Sequence, residues 1–225
     1  TGAPAAVAAG PGGAPAGPAA PPLPTAVGLA PRITAAFEAE HVAIDAVCLT
    51  AVSLTLAVGE PLRGIRSGRL EPAKVDVRVL LPGRDVDLAF PVPVEGREED
   101  GALLRERWLA QRDAQGQVLR HNLLSLRATH GIDVRVSFRA LPFTPPVKLY
   151  LLNGEEALLA SCTPVRGGEQ TDRGRLETYG VQGTRSMLFG FGRGPGPRDA
   201  AFVEQSGRWF DALWGTIGPE PVLTG

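Results

Sequence analysis

The residues in this chain best suited to hold a charged small molecule are one lysine, two arginines and two hydroxyls set in apolar, strand-like segments. Lys148 and Tyr150 lie in the run 147–152, and Ser161 lies near the end of the run 157–162. Arg78 and Arg135 occupy the same place in two copies of the tetrapeptide Asp-Val-Arg-Val, at 76–79 and 133–136. A guanidinium grips carboxylate or phosphate in a planar fork, and an ammonium adds a compact point charge. If Arg78, Arg135 and Lys148 converge at one end of a sheet, they make a pocket for an anionic ligand, with Tyr150 and Ser161 as its further candidates. The alternative is that the arginines face solvent or pair with acidic neighbours such as Asp76 and Asp133.

The groups that would make or break bonds are missing from this pattern. His41, His121 and His130 stand apart from any cysteine, aspartate or second histidine at metal-binding or catalytic spacing. No Gly-x-Ser-x-Gly elbow and no phosphate-binding Walker loop is present. The stretch Gly-Phe-Gly-Arg-Gly-Pro-Gly at 190–196 reads as a plain loop, because Pro195 and Pro197 remove amides that a phosphate would need. Glu98, Glu99 and Asp100 form a solvated charge run. No catalytic residue, cofactor or metal site is therefore expected.

Strand–helix–strand units must position these side chains. The alternation at His41 to Thr50 predicts a strand, Ser53 to Arg66 a helix, and the nearly continuous apolar run Val75 to Leu81 a buried parallel strand. After an irregular excursion from Pro82 to Asp100, a long helix is predicted over 102–129, with Leu104, Trp108, Leu119, Leu123 and Leu126 as its apolar stripe and Gly116 as a candidate break. Ile132 to Phe138 repeats the strand character of Val75 to Leu81, so two equivalent parallel strands are expected, each after a helix. Short strands follow at 147–152, 157–162, 176–181 and 186–191, the first two joined by the hairpin signal Asn153-Gly154. A last helix is predicted from an Asp199 N-cap to Ile217, its apolar face carrying Phe202, Trp209, Phe210, Leu213 and Trp214.

Composition sets the outer limits. With 225 residues, 44% hydrophobic content and a formal charge of -1, the chain suits one sizeable core and not a surface for gripping nucleic-acid phosphates. Residues 1–31 hold no charge and are nearly all Ala, Pro and Gly, a mixture with too little apolar surface to offset the entropy of ordering. The expected division is a disordered linker at 1–32, an α/β domain at 33–218 and a flexible tail at 219–225. A linker has two ends, so a chain opening on Thr1 within one is expected to have had something upstream. No apolar run reaches the roughly 18 residues needed to cross a bilayer, so a cytoplasmic location without membrane contact is expected. Cys48 and Cys162, without framework or metal spacing, are expected as buried free thiols.

The register of Pro146-Val-Lys148, Asn153 and Ala160-Ser161-Cys-Thr163 resembles the phospholipase D signature, His-x-Lys, then Asp, then Gly-Ser-x-Asn. Lys148 and Ser161 match their slots. Pro146 stands for the histidine and Asn153 for the aspartate, and a proline can neither attack phosphorus nor pass a proton. The segments 65–70, 77–82, 147–156 and 202–214 further resemble the C-terminal half of GntR-like winged-helix regulators from GC-rich bacteria, across residues 33–218. That resemblance implies a phospholipase D-like mixed sheet flanked by helices, stripped of catalysis and used as a ligand-sensing effector domain. It further implies homodimerisation, an anionic small-molecule effector, and DNA contact only through an N-terminal winged helix that this chain lacks. Two alternatives stand beside it: a diverged phosphodiesterase or nuclease with another nucleophile, and a dimerisation module that senses nothing.

Overall fold

The computed structural model of the protein describes residues 21–172, 174–194 and 196–217. In chain order the first elements are β1 (Leu23–Pro24), α1 (Thr25–Ala36), β2 (His41–Val47), α2 (Val52–Ala57), α3 (Gly59–Arg66), β3 (Lys74–Pro82) and β4 (Val92–Pro93). Then come α4 (Glu98–His130), β5 (Asp133–Leu141), β6 (Val147–Leu152), β7 (Glu156–Ser161), β8 (Pro164–Thr171), β9 (Gly174–Val181), β10 (Met187–Gly192) and α5 (Pro197–Thr216). A 3₁₀ turn at Gly183–Arg185 joins β9 to β10.

Seven strands form one mixed sheet in the order β1-β10-β7-β6-β2-β3-β5. β2, β3 and β5 are parallel, as expected for the strands at 75–81 and 132–138, and α2–α3 and α4 supply the crossovers. The other neighbours pair antiparallel. Side chains alternate between the two faces of a strand, so the large sheet has a core on each face, and a smaller cluster of Leu49, Leu88 and Trp108 lies apart from both. Val75, Val77, Val79, Val134, Phe138 and Tyr150 meet α1–α4 on one face. Leu80, Leu141, Leu149 and Leu151 meet α5, through Val203 and Phe210, on the other.

Several expectations are corrected. Order begins well before residue 32: α1 spans Thr25–Ala36, and Leu29 and Ile33 are fully buried in the core. Pro31 sits inside that helix on an exposed position, where water can satisfy the carbonyl left without a donor. Residues 1–20 and the expected tail at 219–225 lie outside the described residues. The helix expected over Ser53 to Arg66 is two pieces that meet at Val58, and α4 runs through a buried Gly116 without a break, ending in the left-handed Gly131. α5 starts at Pro197, whose missing N–H costs nothing in the first turn, and not at Asp199.

β8 was not expected at all. It pairs with β9 as a ribbon, and β4 joins the other side of β9 to complete a three-stranded sheet. Its eight residues are mostly exposed on both faces, so they carry no apolar alternation to betray a strand.

Candidate functional site

Lys148 is the second residue of β6, opposite Ala160 of β7. Strand alternation puts Lys148, Tyr150 and Leu152 on the α1–α4 face, and Lys148 is the one nearest the end of the sheet where β2 gives way to α2. There it lines a cleft of about 340 Å³. The polar part of the wall is Thr50 and Ser53, just past β2, and Gln111 of α4; the apolar part is Leu49, Val52, Pro91 and Trp108. The β8–β9 ribbon closes one side with Glu169, Gly180 and Val181, and Gly183 and Thr184 of the 3₁₀ turn complete it. The ribbon is steadied by Arg107 of α4, which donates to the Gln170 carbonyl at 2.8 Å and lies 3.7 Å from the Glu169 carboxylate.

Lys148 is 5% exposed. Its ammonium donates to the Gly183 carbonyl, and among the described residues no carboxylate pairs with it. Burial pulls its pKa below the usual lysine value. Cys48 and Cys162 are its charged-form neighbours, both free and both buried. Burial pushes the Cys48 thiol up to about 12 and raises Cys162 as well, so at neutral pH both are uncharged and offer the lysine no counter-charge.

Two further polar atoms near this cleft lack a hydrogen-bond partner among the described residues: the Trp108 Nε1 and the Tyr150 hydroxyl. Burial raises the Tyr150 phenol well above its usual pKa, with Ser53 the one neighbour that opposes the rise. Trp108 is held from behind by Arg112, fully buried, whose guanidinium sits 5.6 Å from the indole. Arg112 is fixed in turn by Asp113 and by the Pro82 carbonyl at the end of β3.

The five residues singled out in the sequence do not converge. Lys148 faces the cleft and Tyr150 is fully buried behind it. Ser161 is exposed and, one residue out of phase with Ala160, points to the α5 face. Arg78 and Arg135 also project to the α5 face, where they line a separate groove of about 390 Å³ with His41, Asp45, Asp76 and Trp214. The reason is parity: Lys148 shares a face with Val77 and Val134, and each arginine is one residue away from those. The two tetrapeptides are not even in register, since Asp76 lies opposite Arg135.

Arg78 is occupied by structure. It forks onto Asp45 at 2.6 and 2.7 Å, reaches Asp211 of α5 at 2.9 Å, and lies over Phe210 and Trp214. Arg135 is an exposed cation at the rim of the same groove. None of the three histidines lines the Lys148 cleft. His41 pairs with Asp76 at 2.8 Å, and His121 and His130 are exposed on α4.

Sequence reading missed Thr50, Ser53, Trp108, Gln111 and the ribbon residues. The findable signal was position: Thr50 and Ser53 follow directly on the C-terminal end of a parallel strand, where open α/β sheets place their ligands. Trp108 was read only as part of the apolar stripe of α4. Among the described residues no helix is long and apolar enough to cross a membrane, and no cluster of His, Cys, Asp and Glu is placed to hold a metal. No protein-family model matches the chain, and no curated protein matches it in sequence.

Proposed function

We propose that this is a non-catalytic, ligand-sensing domain of phospholipase D-like architecture, the effector half of a homodimeric transcription regulator whose DNA-binding winged helix lies outside this chain. Its ligand is a small molecule held in the Lys148 cleft by a group that accepts hydrogen bonds or carries negative charge. The observation that carries this reading is a buried ammonium that lines a cleft and, among the described residues, has no ion-pair partner, Glu169 of the wall lying 3.7 Å from Arg107 instead. An uncompensated buried ion costs several kcal/mol, and a ligand with an acceptor group removes part of that cost.

The cleft volume is near the lower end of the range for small-molecule sites, which suits a compact metabolite. The ribbon gives the sensing mechanism. A ligand that bridges Lys148 and the ribbon favours one ribbon position over others, and a ligand shifts an equilibrium only by such differential contacts. The missing histidine is why the reading is sensing and not phosphoryl transfer.

The test is thermal unfolding against a panel of small carboxylates, phosphates and carbonyl compounds, run on the wild-type chain and on Lys148→Met. A midpoint that rises with one compound in the wild type, and fails to rise in the variant, supports the reading. Equal shifts in both proteins, or none with any compound, overturn it. Turnover of a phosphodiester that Lys148→Met abolishes would replace it with the hydrolase alternative.

A further inference from the structure

Only two of the 23 basic residues are lysines. Lys74 is a surface residue paired with Asp76 at 2.7 Å. The other is Lys148, and the difference between lysine and arginine at such a place is chemical. An arginine stays protonated in any protein environment, whereas burial lowers the pKa of a lysine and makes its free amine accessible.

Burial is the largest influence on Lys148, and it favours the free amine. Leu49 and Trp108 supply apolar wall, Cys48 and Cys162 are uncharged at neutral pH, and the sole bond to a described residue is to a neutral carbonyl. A desolvated primary amine opening onto a cleft is a nucleophile for carbonyl carbon. We propose that the ligand of this cleft is a small aldehyde or ketone, which Lys148 captures as a reversible imine.

In this step the Nζ lone pair forms a bond to the carbonyl carbon while the carbonyl π pair moves to oxygen. The two amine protons leave with that oxygen as water, and the nitrogen closes the C=N bond. No oxidant, reductant or metal is needed, and water reverses the reaction. The hydroxyls of Thr50 and Ser53 and the Gln111 amide are placed to hold polar groups on the rest of the ligand. A neutral imine nitrogen has no proton for the Gly183 carbonyl, so capture releases the 3₁₀ turn between the ribbon and β10 from its lysine anchor. The inference rests on reading the cleft as the ligand site, and it specifies the acceptor group that site takes.

The test uses the intact chain with glyoxylate, an aldehyde that also carries a carboxylate, under cyanoborohydride at neutral pH. Peptide mass mapping then gives the rates of reduced adduct formation at Lys148 and Lys74 in the same molecule. Burial lowers the pKa of Lys148 and leaves more of it as free amine, so Lys148 is expected to form the reduced adduct faster than Lys74. In urea the two rates should become equal. Glycolate, which has the carboxylate but no carbonyl, separates the two layers of argument. If glycolate raises the unfolding midpoint through Lys148 while glyoxylate leaves no adduct there, the imine is overturned and the ligand site stands. Adducts formed equally fast at both lysines in the folded chain also overturn the imine.

Discussion

Replacing Lys148 with methionine should make the domain more stable. The side chain is 5% exposed, and among the described residues its single bond goes to the Gly183 carbonyl and no carboxylate lies within ion-pair distance. Keeping an ion out of water costs several kcal/mol after relaxation, and a charged hydrogen bond returns about 1.5–3 kcal/mol. Methionine preserves the packing of the stem and removes both terms. The Gly183 carbonyl is not orphaned, because the Ser186 hydroxyl also donates to it at 3.0 Å. The balance favours the variant by about 1–2 kcal/mol, a rise of about 2–8 °C in unfolding midpoint for a domain of this size.

The effect carries a pH signature with a definite sign. The folded pKa of Lys148 lies below the unfolded value, so between the two the unfolded chain binds more protons and the wild type gains stability as pH rises. The advantage of Lys148→Met should therefore be largest below the folded pKa and shrink as pH climbs toward the ordinary lysine value. Calorimetry of both proteins across pH 6 to about 10 reads this directly. A lower midpoint for the variant, or a gap that widens with pH, would refute the account and make the lysine a structural anchor.

Tyr150→Phe removes a buried hydroxyl without a bonding partner and should raise the midpoint by about 2–4 °C, worth about 1 kcal/mol; a comparable fall in the melt would mean that Ser53 does bond it. Asn153→Asp should destabilise by about 1–3 kcal/mol, since the Nδ2 that donates to the Ala36 carbonyl at 2.9 Å becomes an acceptor. Protonating that carboxyl restores a donor, so the deficit in denaturant midpoint should shrink in acid; a deficit flat with pH would count against the bond. Arg78→Ala should cost about 1–2 kcal/mol after discounting its partial exposure, because it removes one tie between α5 and the sheet and takes from Asp45 its guanidinium partner. Burial already raises the Asp45 pKa, with Arg78 opposing the rise. The deficit should thus be greatest above that pKa and fall as Asp45 takes up a proton, and an unchanged urea midpoint at neutral pH would show the clamp to be idle.

The fold was largely legible because its strands carry their own signatures. β2, β3 and β5 each carry β-branched residues at alternate positions, Ile44, Val75, Val77, Val134 and Val136 among them, and Asn153-Gly154 announces its hairpin through two left-handed residues, at φ 54° and 68°. β8 was invisible because a ribbon exposed on both faces needs no apolar pattern. α1 was hidden by composition: its alanines, glycine and proline match the linker before it, and only Leu29 and Ile33, four apart, mark a buried stripe. The site was legible at one residue. Whether residues on different strands share a pocket depends on face and register, and those are set by pairings between segments far apart in sequence. The parity that separates Lys148 from Arg78 and Arg135 is nonetheless written in the flanking valines: Val77 and Val134 are core, so the arginines beside them must point the other way.

The polar slots around the hairpin have separate fates, and their difference bears on what the cleft is for. Asn153 accepts from the Ala43 amide at 2.8 Å and donates to Ala36, tying the turn to β2 and to the end of α1. That is a structural task, and a left-handed asparagine fills it well. Pro146 is exposed and caps nothing, while its carbonyl takes the Cys162 amide at 2.9 Å. Ser161 faces away. Lys148 alone points into open volume, and its one bond duplicates what Ser186 already supplies. A methionine there would pack as well and cost less, so stability gives no reason for the lysine. What an ammonium or a free amine adds at that position is chemistry toward a molecule in the cleft, and only the stability of Lys148→Met and the fate of its amine under a carbonyl probe can tell charge from nucleophile.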